Sequence, residues 1–565
     1  MKEIGIVPEG KESFTLRRDA VAYIDSKRCL NCGTCREVCP VEAIHENQRR
    51  ICRVCPECSD QPAMTLDEID EFCTKQSCTT ACPLGISPQG YINLVKEGKM
   101  DEAYKLVWSK DPLPSVCGHV CHHPCEQVCK RGVLVDDPIA IRGIKRYLSE
   151  NVSYTPDMYP IKHDERIAVI GAGPAGLAAG HFLSQAGYEV TVFEGNTQAG
   201  GMMVRGIPEF RLDREAVHKD VANLEKAGLT IKAGQRIGKN MIDELKKEYD
   251  VIIIAAGLPH SKELHVPGFR YDGIYTALQF MEFVNSGQAM LRMPHQNFDV
   301  TGEGIVIGGG SVAMDTARAA LRKGAKKVTV VCLEEGAAVP AHQWEVDEAR
   351  DEGIEFMEGY SPKRFVGKVN TLTGVEFAKV TSFNKDRNGK ISFTVDDKKL
   401  YEIKADFCIV AIGQYADDFW PAEDGETIFY AGDIKSSACS VIDALASGRK
   451  AAYDVDAKLT GRILKQAEIG HELQQAPMEE KIFPCNRRKT ERHTRPVLDV
   501  EERIKSFDEV EKSYTEKQVG QEVLRCLECG YEVVDPEKCI GCGICMMTCP
   551  EGSVITMIAN NEGGK

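Results

Sequence analysis

A chain of 565 residues is too long for one hydrophobic core, so roughly three or more structural units are expected. Its net charge of −15 speaks against nucleic acid as the main partner. Apolar runs such as VIIIAAGL (Val251–Leu258) fall far short of a membrane span, and the opening MKEIGIVPEGKES lacks the apolar stretch of a secretory signal, so a cytoplasmic protein is expected.

The 24 cysteines are placed unevenly: fourteen precede residue 130, six follow residue 525, and only Cys332, Cys408, Cys439 and Cys485 lie between. A disulfide scaffold would be a short secreted chain, so the clustered cysteines at both ends read as metal sites. Cys332, Cys408 and Cys439 read as small buried hydrophobes. Cys485, in polar FPCNRRK, reads as a candidate stray ligand.

Residues 1–62 read as a ferredoxin-like iron–sulfur segment. Cys29, Cys32, Cys35 and Cys39, followed by Pro40, form a C-x2-C-x2-C-x3-C-P run. Such a run wraps three thiolates around one cube and sends the fourth to a second cube. The extended stretches AYIDSKR and AIHEN flank it. A partial run, Cys52, Cys55 and Cys58, follows without a CP cysteine, and zinc is an alternative to iron–sulfur there.

Residues 63–160 read as a helical iron–sulfur domain. Cys73, Cys78 and Cys82-Pro83 precede a stretch with helical spacing at Tyr91, Leu94, Val95 and Ala103, Leu106, Val107. Cys117, Cys121, Cys125 and Cys129 follow it, with Gly118 and Pro124 breaking a continuous helix into turns. His119, His122 and His123 read as exposed polar residues or as donors to cluster sulfur.

Residues 161–290 and 413–460 read as two parts of one dinucleotide-binding domain of a flavoprotein, with a second dinucleotide-binding domain at 291–412 between them. RIAVIGAGPAGLAAGHFLSQAGYEVTVFEG is strand, glycine turn, helix and strand. Gly171, Gly173 and Gly176 form G-x-G-x-x-G, and Glu194 ends the second strand 23 residues after Gly171. The glycines admit a pyrophosphate to the helix N-terminus, and the carboxylate takes ribose hydroxyls. GIVIGGGSVAMDTARAALRKGAKKVTVVCLEEG repeats the unit with Gly308, Gly310 and Ala313. Asp433 follows a strand and precedes a helix whose N-terminus, near Ser440–Val441, is placed to face a flavin ring.

Residues 461–520 read as a linker and 521–565 as a C-terminal ferredoxin-like segment. The latter holds Cys526-x2-Cys529, with zinc again an alternative, and the full run Cys539, Cys542, Cys545 and Cys549-Pro550 between the extended stretches YEVVDPEK and SVITMI. Either each end completes its clusters with its own partial run, or the two ends meet and exchange Cys39 and Cys549.

Over roughly residues 70–460 the chain resembles the small subunit of glutamate synthase and the related NADPH-side subunit of electron-bifurcating NADH-dependent ferredoxin:NADP oxidoreductases. The segments carrying the match are CPLGISPQGYINLVKEGKMDEAYKLV, PSVCGHVC, GAGPAGLAAG, GGMMVRGIPEFRL, GGGSVAMDTARAA and YAGD. The resemblance implies FAD against Gly171, Gly173, Gly176, Glu194, Gly201, Arg205, Gly432 and Asp433. It implies a nicotinamide dinucleotide against Gly308, Gly310, Ser311 and Val312, and [4Fe-4S] clusters in the helical domain. Two departures stand out: Asp70 replaces the first domain cysteine, and Lys145 occupies a position where relatives carry a Glu or Gln ligand. A third lies after the second strand of the nucleotide unit, where Leu333 and Glu334 replace an expected arginine pair. No Lys or Arg occurs from Val328 to Ala349. A carboxylate at Glu334 suits a free ribose diol and repels a 2′-phosphate, which predicts a preference for NADH. Arg318 is the alternative, as a more distant holder of that phosphate.

The expected fold is multidomain α/β: two Rossmann-like nucleotide-binding domains, one inserted in the other, a helical iron–sulfur domain, and ferredoxin-like segments at both termini. The expected function is electron transfer between NAD(P)H, FAD, three or more [4Fe-4S] clusters, and ferredoxin or other flavin or iron–sulfur subunits of a complex, in the bifurcating manner the resemblance suggests. With flavin as the reacting centre, no side chain is assigned as catalytic. The alternatives are a stand-alone NAD(P)H:acceptor oxidoreductase, and a wiring scaffold with a vestigial nucleotide site.

Overall fold

The chain is seen in a computed structural model that describes residues 20–25, 28–41, 43–47, 50–52, 77–286, 298–386, 391–437, 439–461, 479–481, 489–534, 539, 544–549 and 554–559. The runs Arg166–Ile170 and Val251–Ile254 are almost wholly buried, as strands covered on both faces must be. They form the centre of a five-stranded parallel sheet ordered Ile428–Tyr430, Val251–Ile254, Arg166–Ile170, Glu189–Phe193, Thr230–Lys232. The chain leaves this sheet after Ile254 and builds a second parallel sheet before returning at Ile428. That second sheet is ordered Glu355–Glu358, Lys327–Cys332, Glu303–Ile307, Phe407–Val410, Ile274–Thr276. In each sheet the strand order reverses beside the strand that leads into a glycine turn, Arg166–Ile170 in the first and Glu303–Ile307 in the second, opening a crevice at the carboxyl ends where nucleotides bind. An antiparallel sheet of Tyr360–Lys368, Thr371–Lys385 and Ile391–Lys404 packs Phe365, Val375 and Phe377 against Ile305 and Ile307 of the second.

The helical stretch divides into Pro88–Lys96 and Met100–Trp108, and Gly98 makes the turn at φ +75°. Ser87 caps the first helix by accepting from Gly90 N, with Pro88 at the first helical position. Pro114–Val120, the short helices Pro124–Gln127 and Lys130–Leu134, and Ile141–Asn151 complete the helical region. Leu84, Tyr91, Val116 and Ile144 share one apolar core with Ile167, Leu177 and Leu445, so these helices are seated directly on the first sheet's unit.

The two chain ends meet. Ala20–Ile24 pairs antiparallel with Ile555–Ala559, and Ile44–Asn47 with Tyr531–Val534. Each cysteine run also carries a short helix, Thr34–Glu37 and Ile544–Thr548. Of the alternatives open in the sequence, the structure has the ends joined.

Residues 489–530, which overlap the stretch expected to be a linker, pack on both large units. Val510 enters the core of the second sheet, and Tyr514, Val519 and Val523 enter the first. The Tyr514 ring fills the space at Gly143, where a Cβ would lie 2.3 Å from it. Among the described residues no helix is long and apolar enough to cross a membrane.

Candidate flavin, nucleotide and iron–sulfur sites

At the end of Arg166–Ile170 the chain must turn under its neighbour. Gly171 does so at φ +104°, where a Cβ would sit 2.4 Å from the Ala255 carbonyl. Gly173 caps the helix Pro174–Ala186, and Gly176 packs on the Gly171 carbonyl with no room for a side chain. Glu194 is buried and holds this loop, accepting from Ala172 N at 2.9 Å and Asn196 N at 2.7 Å. Oε1 also accepts from Asn196 Nδ2 at 2.6 Å, so Oε2 is the oxygen that keeps a lone pair for a ribose hydroxyl. Gly201 reaches the same place, since its Cβ would lie 2.8 Å from Gly173 Cα. Gly432, at φ +75°, abuts Ala175 in the same way and caps the short helix Asp433–Ser436. Asp433 accepts from Cys439 N at 3.2 Å and Cys439 Sγ at 3.0 Å, and burial pushes its carboxyl up. Ser440 caps Val441–Thr460 as expected. These loops leave a cradle without Cβ atoms at a helix N-terminus, which fits a dinucleotide pyrophosphate. Arg205 stands at the edge of this group, ion-paired with Glu282.

Glu194→Ala should weaken FAD binding by ~1–3 kcal/mol, because it strips an acceptor from buried donors. FAD retention through ultrafiltration measures this. Retention equal to the parent would assign Glu194 to loop support alone.

The second unit repeats the geometry. Gly308 turns at φ +139° with its missing Cβ 2.3 Å from the Ala411 carbonyl, and Gly310 caps Ser311–Arg322 with open space beside it. Ser311 and the exposed Val312 form that helix N-terminus. Glu334 is buried against the glycine loop, its Oε2 3.2 Å from the Cβ position of Gly309, and burial raises its carboxyl. Arg318 is withdrawn from this site. It is 1% exposed, donates to Glu348 at 2.6 Å and Glu352 at 2.8 Å, and lies over the Phe210 ring. It cannot also reach a ribose phosphate.

The stretch GGMMVRGIPEFRL joins the two units, a role its sequence does not reveal. Phe210 is fully buried in the second unit's core beneath Arg318 and Arg322. Arg211 pairs with Asp315 at 2.8 Å and Glu345 at 2.8 Å, which hold its charge strongly despite burial.

The cysteines fall into three groups. Cys29, Cys35 and Cys39 share one small core with Cys539, Cys545 and Cys549, and Ala22 N donates to Cys539 Sγ at 3.4 Å. Cys32 sits against the helical region: a Cβ on Gly90 would lie 2.6 Å from its Cα. The second group, Cys82, Cys121 and Cys125, lines a cavity with Tyr91, Lys145 and Ile442, and Cys117 is buried beside it. The third, Cys78, Cys129, Cys526 and Cys529, lines another cavity, and Pro88 and Ile141 belong to the walls of both. Asp70, Cys55, Cys58, Cys73, Cys485 and Cys542 lie outside the described residues; of Cys52 only the backbone is described, in the strand Arg50–Cys52.

Burial pushes the Cys82, Cys117 and Cys121 thiols up, while Lys145 opposes that rise in all three. The Lys145 ammonium is itself buried, 3.1 Å from the buried Asp111 carboxylate. Buried thiolates need countercharge, and an iron–sulfur cluster supplies it. Among the described residues no three His, Cys, Asp or Glu side chains converge tightly enough for a single metal ion.

Two expectations are corrected. Cys439 is exposed and hydrogen-bonded to Asp433, not a buried hydrophobe. His119 is buried, and its ring engages the Ser115 carbonyl at 2.8 Å and Glu509 at 2.9 Å, because residues 489–530 cover it.

A paired-sheet fold with two glycine loops and grouped cysteines defines a flavin- and nucleotide-binding iron–sulfur protein. Residues 165–437 match the pyridine nucleotide-disulphide oxidoreductase family. Residues 48–155 match the dihydropyrimidine dehydrogenase domain II, 4Fe-4S cluster family, and residues 22–45 and 533–555 each match a 4Fe-4S binding domain. The chain is 30% identical over 507 residues to the NADP(+)-dependent formate dehydrogenase subunit beta of Moorella thermoacetica, covering 80% of this chain and 70% of that one. It is 34% identical over 368 residues to the NADPH-Fe(3+) oxidoreductase subunit beta of Geobacter sulfurreducens, covering 63% of this chain and about half, 53%, of the relative. To the glutamate synthase [NADPH] small chain of Azospirillum brasilense it is 27% identical, covering 68% and 86%. The chain belongs to the glutamate synthase small chain-like family of NAD(P)H-dependent flavin iron–sulfur oxidoreductases, with FAD and several [4Fe-4S] clusters as its cofactors.

Proposed function

We propose that this chain is the electron-transfer subunit of a larger complex, exchanging electrons reversibly between a nicotinamide nucleotide and ferredoxin or partner subunits, with bifurcation where a partner carries further flavin. The observation that carries this is the serial placement of the sites. Ile442, at the N-terminus of the helix Val441–Thr460, lines the cavity of Cys82, Cys121 and Cys125. That cavity shares Pro88 and Ile141 with the cavity of Cys78 and Cys129. Gly90, two residues from Pro88, then touches Cys32 of the joined termini. Bound FAD takes a hydride as an electron pair and releases electrons singly, which suits clusters that accept one at a time.

In this reading the chain's own residues orient and insulate. Gly171, Gly173, Gly176, Glu194, Gly201, Gly432 and Asp433 hold FAD, with Arg205 at its edge. Gly308, Gly310, Ser311, Val312 and Glu334 hold the nucleotide. The domains run 63–160 for the helical unit, 161–290 with 413–460 for FAD, and 291–412 for the nucleotide. The Moorella and Geobacter relatives are named for NADP and NADPH. Here the buried Glu334 and the committed Arg318 favour NADH.

Anaerobic titration of the purified protein tests the reading. At least about three clusters and one FAD per chain are expected, and fewer than about eight irons would overturn the cluster assignment. FAD should bleach with either nucleotide, with the higher kcat/KM for NADH. Flavin left oxidised by both nucleotides would leave a wiring scaffold, and a higher kcat/KM for NADPH would sink the NADH preference.

A further inference from the structure

The pair Cys526-x2-Cys529 stands ten residues before Cys539 in sequence, yet it lies outside every matched iron–sulfur stretch. In space Cys526 packs against the core of the helical unit, whereas Cys539 packs in that of the joined termini. Cys526 and Cys529 line one cavity with Cys78 and Cys129, walled by Pro88, Ile92, Ile139, Ile141 and Leu527 and enclosing about 500 Å³ with its mouth. We infer that these four cysteines form one complete ligand set, so that the C-terminal pair closes a [4Fe-4S] cluster of the helical unit and not one of the joined termini.

The loop is built to hold that position. After the pair, the buried Gln89 amide clamps Gly530 both ways, donating to its carbonyl at 2.7 Å and accepting from its N–H at 2.9 Å. Before it, Arg525 donates to the Asp137 carbonyl at 2.7 Å and pairs with Asp136 at 3.0 Å and Glu522 at 2.6 Å. Arg131, one of the most deeply buried side chains, donates to the Arg525 carbonyl at 2.7 Å. Within the loop, Glu528 takes the left-handed conformation at φ +50° and pairs with Lys96 at 2.9 Å. Arg131 lies on the helix Lys130–Leu134 that Cys129 caps, and Gln89 opens the helix Pro88–Lys96, eleven residues beyond Cys78. Four thiolates complete the ligand set of a cubane cluster.

This inference rests on reading the cysteines as cluster ligands, and the test separates the two. The full-length protein is purified anaerobically as parent, Cys526→Ser/Cys529→Ser, Cys78→Ser/Cys129→Ser, and all four together. Iron, sulfide and zinc are counted per FAD, and dithionite-reduced samples are examined by electron paramagnetic resonance. Each double variant should lose about four irons and four sulfides. The same resonance component should vanish from both, and the quadruple variant should lose no more than either. A parent without iron would sink the cluster reading itself. An iron-loaded parent whose C-terminal double variant keeps its full iron, loses zinc instead, or adds its loss to that of the other pair would overturn the shared site. Should the serine variants fail to fold, Gln89→Ala leaves every thiol in place. It should release one cluster's iron to a chelator faster than the parent, and unchanged release would equally overturn the assignment.

Discussion

Glu352→Ala should destabilise the nucleotide-binding unit by about 3–5 kcal/mol, the cost of leaving buried charges without their partner. Glu352 accepts from Arg318 at 2.8 Å and Arg322 at 2.6 Å and pairs with Arg503 at 3.2 Å, its side chain wholly removed from solvent. Burial alone would raise this carboxyl, and the arginines hold it below its usual 4.5. A depressed carboxylate stabilises fully above that value, and the contribution is lost as pH falls through the folded pKa. The gap between parent and variant should therefore close in acid. Glu348→Ala, which touches only the rim of the same node with a 21% exposed side chain, should cost under about 1 kcal/mol. Urea unfolding followed by Trp344, on the helix Gln343–Asp351 that leads into Glu352, reads both. Equal, small losses would show that the node is not needed for stability.

Gly90→Ala should uncouple the flavin from the terminal clusters while leaving hydride acceptance intact. Alanine is the better helix former by about 1 kcal/mol, so any loss must come from contact. Its methyl would stand 2.6 Å from Cys32 Cα and 2.9 Å from a Leu106 methyl, and the backbone at Cys32 must retreat. A retreat of Cys32 shifts any cluster held there away from its electron donor, so terminal-cluster reduction should slow while flavin reduction does not. Stopped-flow spectra after mixing with NADH separate flavin bleaching from cluster bleaching. Unchanged cluster kinetics would show that electrons do not cross at this contact.

Both glycine-loop strands were legible because a strand, a glycine turn and a helix are adjacent in sequence, and local pattern suffices. The same holds for the helices on either side of Gly98 and the cap at Ser440. What could not be read depends on residues far apart. Nothing near Phe210 announces that it will enter a core built from residues around 275–409. Residues 489–530 look like a linker because their anchors are Arg492, Arg495 and Glu511 as much as apolar side chains, with partners such as Glu126 and Arg142 over 350 positions away. His119 looked exposed for the same reason. Cys526 and Cys529 were grouped with Cys539 through proximity in sequence, where the Gln89 and Arg131 contacts are invisible.

The strand pairing of the two chain ends also fixes an order of events during synthesis. About 480 residues separate Asn47 from its partner Tyr531. At ~5–20 residues per second, the N-terminal cysteine run waits roughly 25–100 s after emergence before its sheet can close. During that time both large nucleotide units are free to fold, since their strands are complete by Tyr430. Closing so long a loop is cheap in entropy once those units have condensed and brought its ends near. The Ala20–Ile24 strand therefore waits for Ile555–Ala559 before it can pair, long after the cysteine run beside it has been made.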